Sequence, residues 1–108
     1  MSFLVIGECV ADVVRAPGTA DRVHPGGSPA NVAYGLARLG RDVTLLTQLA
    51  DDPAGRLIGD HLRGAGVRVE VGGLPERTPS AVVGLDAEGR ATYAFDIVWT
   101  LEAGGLPA

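Results

Sequence analysis

Between residues 3 and 71 an apolar run, a helix opened by proline and a closing glycine follow one another twice, and that order restricts the chain to few folds. Residues 3–6 are continuously apolar and end at Gly7, the pattern of a strand buried on both faces of a parallel sheet. Ser28 stands where a helix is capped, and Pro29 takes the first helical position, where a missing N–H costs nothing. Val32, Leu36 and Leu39 recur at helical spacing with Ala30, Ala33 and Ala37 beside them, and Gly40 closes the helix. Residues 43–49 are β-branched and apolar, as a strand requires. Asp52 then caps and Pro53 starts a second helix, whose buried stripe is Leu57, Ile58, Leu62 and Ala65 and which Gly66 stops. Residues 67–71 alternate apolar and charged side chains, as a half-exposed strand does. Strand, helix, strand, helix, strand predicts right-handed βαβ units around a parallel sheet, an α/β fold.

Two regions depart from that alternation. Residues 10–14 form a second apolar run, interrupted by Asp12 and followed by a turn carrying Pro17 and Gly18. A brief extended piece at 22–25 then leads into Gly26-Gly27. After Gly72-Gly73 come two β-rich runs, 80–85 and 90–95, separated by Asp86-Ala87-Glu88-Gly89. That spacing predicts an antiparallel hairpin. Residues 97–108 have no firm period.

With 108 residues the chain makes one domain at most. A net charge of -4 gives no electrostatic footprint for nucleic acid or an anionic membrane. No run approaches the roughly 20 apolar residues that cross a bilayer. The N-terminus lacks the basic region of a signal peptide. Cys9 is the sole cysteine, so no disulfide forms within the chain, and it is expected to pack as a small hydrophobe. These features together predict a cytoplasmic protein.

Several chemistries are missing. There is no phosphate loop ending in Gly-Lys-Ser/Thr, no Gly-x-Gly-x-x-Gly between strand and helix, no zinc-like spacing of Cys9, His24 and His61, and no nucleophile elbow. The strongest positive signal is Gly26-Gly27-Ser28-Pro29-Ala30-Asn31. A glycine pair before a helix lets a ligand approach the backbone, the helix start offers free N–H groups, and the Asn31 amide both donates and accepts. The same residues also read as a tight turn and a capped helix. Asp12 interrupts an apolar run near a strand end, where a carboxylate can accept from two vicinal hydroxyls, and an ordinary loop aspartate reads the same way. Glu8 is a weaker candidate of the same kind. Tyr93 and Phe95, two apart on a strand, share a face and can close over a sugar ring or pack in the hairpin. His24 could join the site by its position beside Gly26 but reads more simply as a loop histidine, and Asp51-Asp52-Pro53 reads as a helix cap without chemistry.

These pieces resemble one family. Gly26-Gly27-Ser28-Pro29-Ala30-Asn31-Val32-Ala33 with Leu36-Ala37-Arg38-Leu39-Gly40 resembles the N-terminal signature of ribokinase-like (phosphofructokinase B) carbohydrate kinases. Ile6-Gly7-Glu8 with Asp12 resembles the opening of the fructokinase-type members. Asp52-Pro53-Ala54-Gly55, Leu62 and Gly64-Ala65-Gly66-Val67 resemble the next block, and Thr78-Pro79-Ser80 and Arg90-Ala91-Thr92-Tyr93-Ala94-Phe95 its lid strands. The resemblance implies that residues 1–108 are the N-terminal, sugar-binding part of a Rossmann-like kinase domain, with lid strands within 10–25 and 78–97. It implies ATP- and Mg²⁺-dependent phosphorylation of a sugar hydroxyl, fructose first among the candidates. By the same likeness Asp12, Gly27 and Asn31 bind sugar hydroxyls, Gly26 shapes the turn, and Phe95 touches the sugar from the lid. Ser28 departs from the lysine of ribokinase-type members.

In that family the catalytic aspartate lies in a Gly-x-Gly-Asp element far toward the C-terminus, with the nucleotide site nearby. The 108 residues contain no such element, so the expectation is a segment inactive alone, its nucleotide-binding part absent. A non-catalytic sugar-binding or assembly module of the same descent is the alternative, and a nucleotide-binding fragment unrelated to sugar is a third. Two helices cannot cover both faces of a parallel sheet, and an open strand edge invites pairing, so a homo-oligomer is expected through the lid or that edge.

Overall fold

The computed structural model describes residues 2–73 and 75–97. The expected α/β alternation is present, resolved into two sheets. The first is parallel and three-stranded, in the order β1 (Ser2–Ile6), β4 (Asp42–Thr47), β5 (Arg68–Val71). The second is four-stranded, in the order β3 (Arg22–Gly26), β2 (Val10–Arg15), β6 (Ser80–Leu85), β7 (Ala91–Asp96). Two antiparallel hairpins, β2–β3 and β6–β7, join in it through the parallel pair β2–β6. The tetrapeptide at 86–89 makes the β6–β7 turn, with the Asp86 carboxylate accepting from the backbone N–H groups of Glu88 and Arg90. The reading of residues 98–108 falls outside the described residues.

Helices α1 (Ser28–Arg38) and α2 (Pro53–Gly64) cover one face of the parallel sheet. Ala30, Ala33 and Ala37 of α1 and Ile58 and Leu62 of α2 meet Val43 and Leu45 of β4, with Phe3, Val5 and Val69 packed against them. Strand parity puts Leu4, Ile6 and Leu46 on the other face. There Leu4 and Ile6 are 52% and 46% exposed. Within the described residues the apolar run at 3–6 therefore lies at the edge of this three-stranded sheet with one face uncovered. Among the described residues no helix lies on that face to bury it.

The α1 stripe is also corrected. The alanines face the sheet, Leu36 is half-buried, and Val32 and Leu39 point outward. Small side chains let the helix sit close to the strands, and that contact outweighs the larger but offset branched residues. On α2, Gly55, Ile58, Gly59 and Leu62 are buried, whereas Leu57 is exposed. Ser28 is not the cap: it is already helical, and Gly27 holds the cap position at φ 97°. Asp52 does cap α2, accepting from the Gly55 N–H at 2.7 Å. Among the described residues no helix is long and apolar enough to cross a membrane.

Candidate functional site

Strand pairing assembles residues that are far apart in the chain. Asp12 of β2 pairs with His24 of β3 on one side and with Ala81 of β6 on the other, and Ala81 pairs with Phe95 of β7. Directly paired residues share a sheet face, so His24, Asp12, Ala81 and Phe95 form one row across the second sheet. The next row on that face is Arg22, Val14, Val83 and Tyr93. Tyr93 and Phe95 do share a face, and they are 67% and 70% exposed. Asp12 lies within its strand rather than near the end, and His24 is a strand residue beside it rather than a loop histidine.

The two glycines are required for different reasons. Gly26 is buried, and a Cβ there would overlap the Asp12 carboxylate, so that carboxylate lies directly over the Gly26 backbone. Gly27 has the positive φ, and its missing Cβ would sit 2.7 Å from the Glu8 carbonyl oxygen and 3.3 Å from Cys9 Cα. The segment joining β1 to β2 thus crosses directly against the turn into α1. Gly7, in the same segment, abuts the Pro29 ring. Glu8 lies in this crossing and not on the second sheet. Asn31 is one helical turn beyond Gly27, its N–H donating to the Gly27 carbonyl at 3.0 Å and its side chain exposed.

Asp12, Asn31 and Phe95 make no side-chain hydrogen bond, ion pair or ring contact among the described residues. Cys9, by contrast, is fully buried and accepts from the Thr47 hydroxyl at 3.3 Å. Burial pushes its thiol pKa up, against the pull of that hydrogen bond, which makes it a poor nucleophile. Among the described residues no three His, Cys, Asp or Glu side chains converge to hold a metal.

The position of His24 beside Gly26 makes it a candidate in the sequence, but its register against Asp12 depends on the β2–β3 turn. Thr78 is nearly fully buried, and its partner Asp52 was legible only as a cap. Its hydroxyl donates to Asp52 Oδ1 at 2.7 Å, its N–H donates to Asp52 Oδ2 at 2.8 Å, and its oxygen accepts from the Ala50 N–H at 3.0 Å. Burial works to raise the Asp52 pKa, but the bonds from Thr78 and Gly55, with Arg56 nearby, outweigh it and hold the carboxyl below its ordinary value.

Residues 2–96 match the family described as pfkB family carbohydrate kinase. A fructokinase of Klebsiella pneumoniae is 40% identical over 95 residues, which is 84% of this chain and 30% of that protein. The chain spans about 30% of the length of the curated relatives it matches. Among solved structures, fructokinase from Vibrio cholerae O395 in apo form superposes with a TM-score of 0.84 at 28% identity, covering 98% of this chain and 38% of that one. Fructokinase with bound ATP from Xylella fastidiosa gives 0.73 at 31% identity, covering 87% and 32%.

Proposed function

The chain belongs to the pfkB family of carbohydrate kinases, and on that premise we propose that it forms the sugar-binding, N-terminal part of an ATP-dependent kinase acting on fructose or a related sugar. The observation that carries this is the set of side chains without a structural task. Asp12, Asn31 and Phe95 are exposed and unpartnered among the described residues, with the Asp12 carboxylate lying over Gly26 and the Asn31 N–H bonded to the Gly27 carbonyl. In this reading the Asp12 carboxylate accepts from two sugar hydroxyls, the Asn31 amide donates and accepts at the α1 start, and Phe95 covers the apolar side of the ring. Gly26 and Gly27 keep the backbone low beneath it.

ATP use rests on family membership and on the ATP-bound fructokinase among the structural relatives. Phosphoryl transfer needs a positioned phosphate, a metal and a base for the attacking hydroxyl. We assign none of these to the 108 residues, and Mg²⁺ is implied by the family alone. The segment therefore transfers no phosphoryl group by itself. It works in the cytoplasm, where ATP and a reduced Cys9 coexist, and it self-associates through the lid strands or a free strand edge.

The protein expressed from its gene through to the stop codon, incubated with ATP, Mg²⁺ and a panel of sugars, is expected to release ADP with fructose or a close relative. No sugar-dependent release overturns the kinase reading. Sugar-dependent release by the 108 residues alone overturns their inactivity. A monomer by sedimentation removes the self-association.

A further inference from the structure

We propose that Asp52 and Thr78 form a clasp that sets the position of the second sheet, so that Asp52 is a positioning residue for the sugar site although it does not touch it. The claim rests on the sugar-binding reading above. The chain passes between the two sheets between β1 and β2, at Gly27, and between β5 and β6. The first two crossings lie against each other, Gly7 against the Pro29 ring and Gly27 against the Glu8 and Cys9 backbone. The third, from β5 to β6, is tied at its start by the Gly72 N–H donating to the Thr47 carbonyl and by the Gln48 amide donating to the Gly72 carbonyl, both at 2.9 Å, and later by Arg77 pairing with Asp96. At its buried end it is held by the Asp52 carboxylate, which takes both the N–H and the hydroxyl of Thr78.

The consequence reaches the site in two short steps. The residue after Thr78 is Pro79, whose carbonyl accepts from the Ala11 N–H at 2.8 Å. That bond opens the parallel β2–β6 ladder, in which Ala11 pairs with Ser80 and Asp12 with Ala81. The clasp therefore fixes where β6 begins, and β6 fixes the register of the row that holds Asp12 and Phe95. Asp52 belongs at the same time to α2, which packs on β5 of the first sheet and on β3 of the second. One carboxylate thus ties the helix layer, the crossing and the second sheet together. A helix cap alone needs only the bond to Gly55. The two bonds to Thr78 exceed what capping requires.

The test uses the protein expressed through its stop codon, with Asp52→Asn, Thr78→Val and Thr78→Ser. Asp52→Asn and Thr78→Val are expected to raise the sugar KM by about ten-fold or more with the ATP KM unchanged, the mark of lost substrate positioning. Thr78→Ser, which keeps both donors, is expected to restore the sugar KM. Amide exchange at Ala11 and along β6 is expected to quicken in the first two variants while β4 stays protected. A folded Asp52→Asn or Thr78→Val protein with unchanged sugar KM and unchanged exchange overturns the clasp, and where Asp52→Asn does not fold, Thr78→Val decides alone. A purely structural role would lower the active fraction and leave KM where it was. No sugar-dependent turnover in the unsubstituted protein overturns the kinase reading instead, and the exchange measurement then still decides whether the clasp holds the second sheet.

Discussion

Replacing Gly26 and Gly27 by alanine, one at a time, separates the site from the scaffold. At Gly26 the new Cβ would stand 2.8 Å from Cγ of Asp12 and closer still to Oδ2, and the backbone there has no positive φ. The carboxylate is the far end of an exposed side chain, so it swings aside at a rotamer cost of about 0.5–1.5 kcal/mol. Alanine offsets about 0.4–1 kcal/mol of this by restricting the unfolded chain. Stability should change by no more than about 1 kcal/mol. The displaced carboxylate, however, loses its place against the sugar. A hydrogen bond to a charged group contributes about 1.5–3 kcal/mol, so the sugar KM should rise about 10- to 150-fold at about 1.4 kcal/mol per factor of ten. At Gly27 the contacts are all backbone, with the Glu8 oxygen at 2.7 Å and Cys9 Cα and Val10 N at 3.3 Å, and φ is 97°. Neither can yield cheaply, and the positive φ alone costs about 1–3 kcal/mol for a residue with a side chain. Urea unfolding and sugar titration of both variants check this. A Gly26→Ala protein as destabilised as Gly27→Ala, or one with an unchanged sugar KM, refutes the reasoning.

Ile58 is fully buried where α2 meets the sheet, and Ile58→Ala should cost about 2–5 kcal/mol in denaturant unfolding. Gly55→Ala pushes a Cβ into the Ala50 carbonyl and to 2.8 Å from the Thr78 hydroxyl, so it should lower stability by about 1–3 kcal/mol by overpacking. Because the folded-state pKa of Asp52 lies below its ordinary value, its contribution to stability is present above the unfolded pKa and is lost as pH falls through the folded one. The difference in urea midpoint between the unsubstituted protein and Asp52→Asn should therefore be constant near neutral pH and shrink on acidification. A difference that grows on acidification contradicts that sign.

What could be read from the sequence was local. The Pro-opened helices, the Asp52 cap and the turn at 86–89 depend on residues within a few positions of one another, and the structure has them. Orientation depends on partners elsewhere in the chain. Spacing puts Val32 and Ala33 on neighbouring stripes of α1, and nothing within the helix says which stripe meets the sheet. The contact with β4 decides it in favour of the alanines. In the same way a continuous apolar run at 3–6 marks a strand of a parallel sheet, but its place at the edge follows from the pairing order β1–β4–β5. The Thr78 bonds to Asp52 span 26 residues, and no periodicity reports them.

The glycine pair shows how far a sequence signal reaches toward function. Two glycines before a helix read equally as a ligand cradle and as a tight turn. The structure gives each its own structural reason: Gly26 makes room for Asp12, and Gly27 turns the chain at positive φ against the crossing strand connection. Neither needs a sugar to explain it. The weight of the site therefore rests on the residues that have no such reason. Asp12 is a charged side chain in the middle of a strand, lying over a bare backbone and paired with no cation among the described residues. Phe95 holds 70% of its surface in solvent on the same face, where burial in the hairpin would have been favourable. On the proposed reading, a ligand that needs one acceptor and one apolar wall gives both a task.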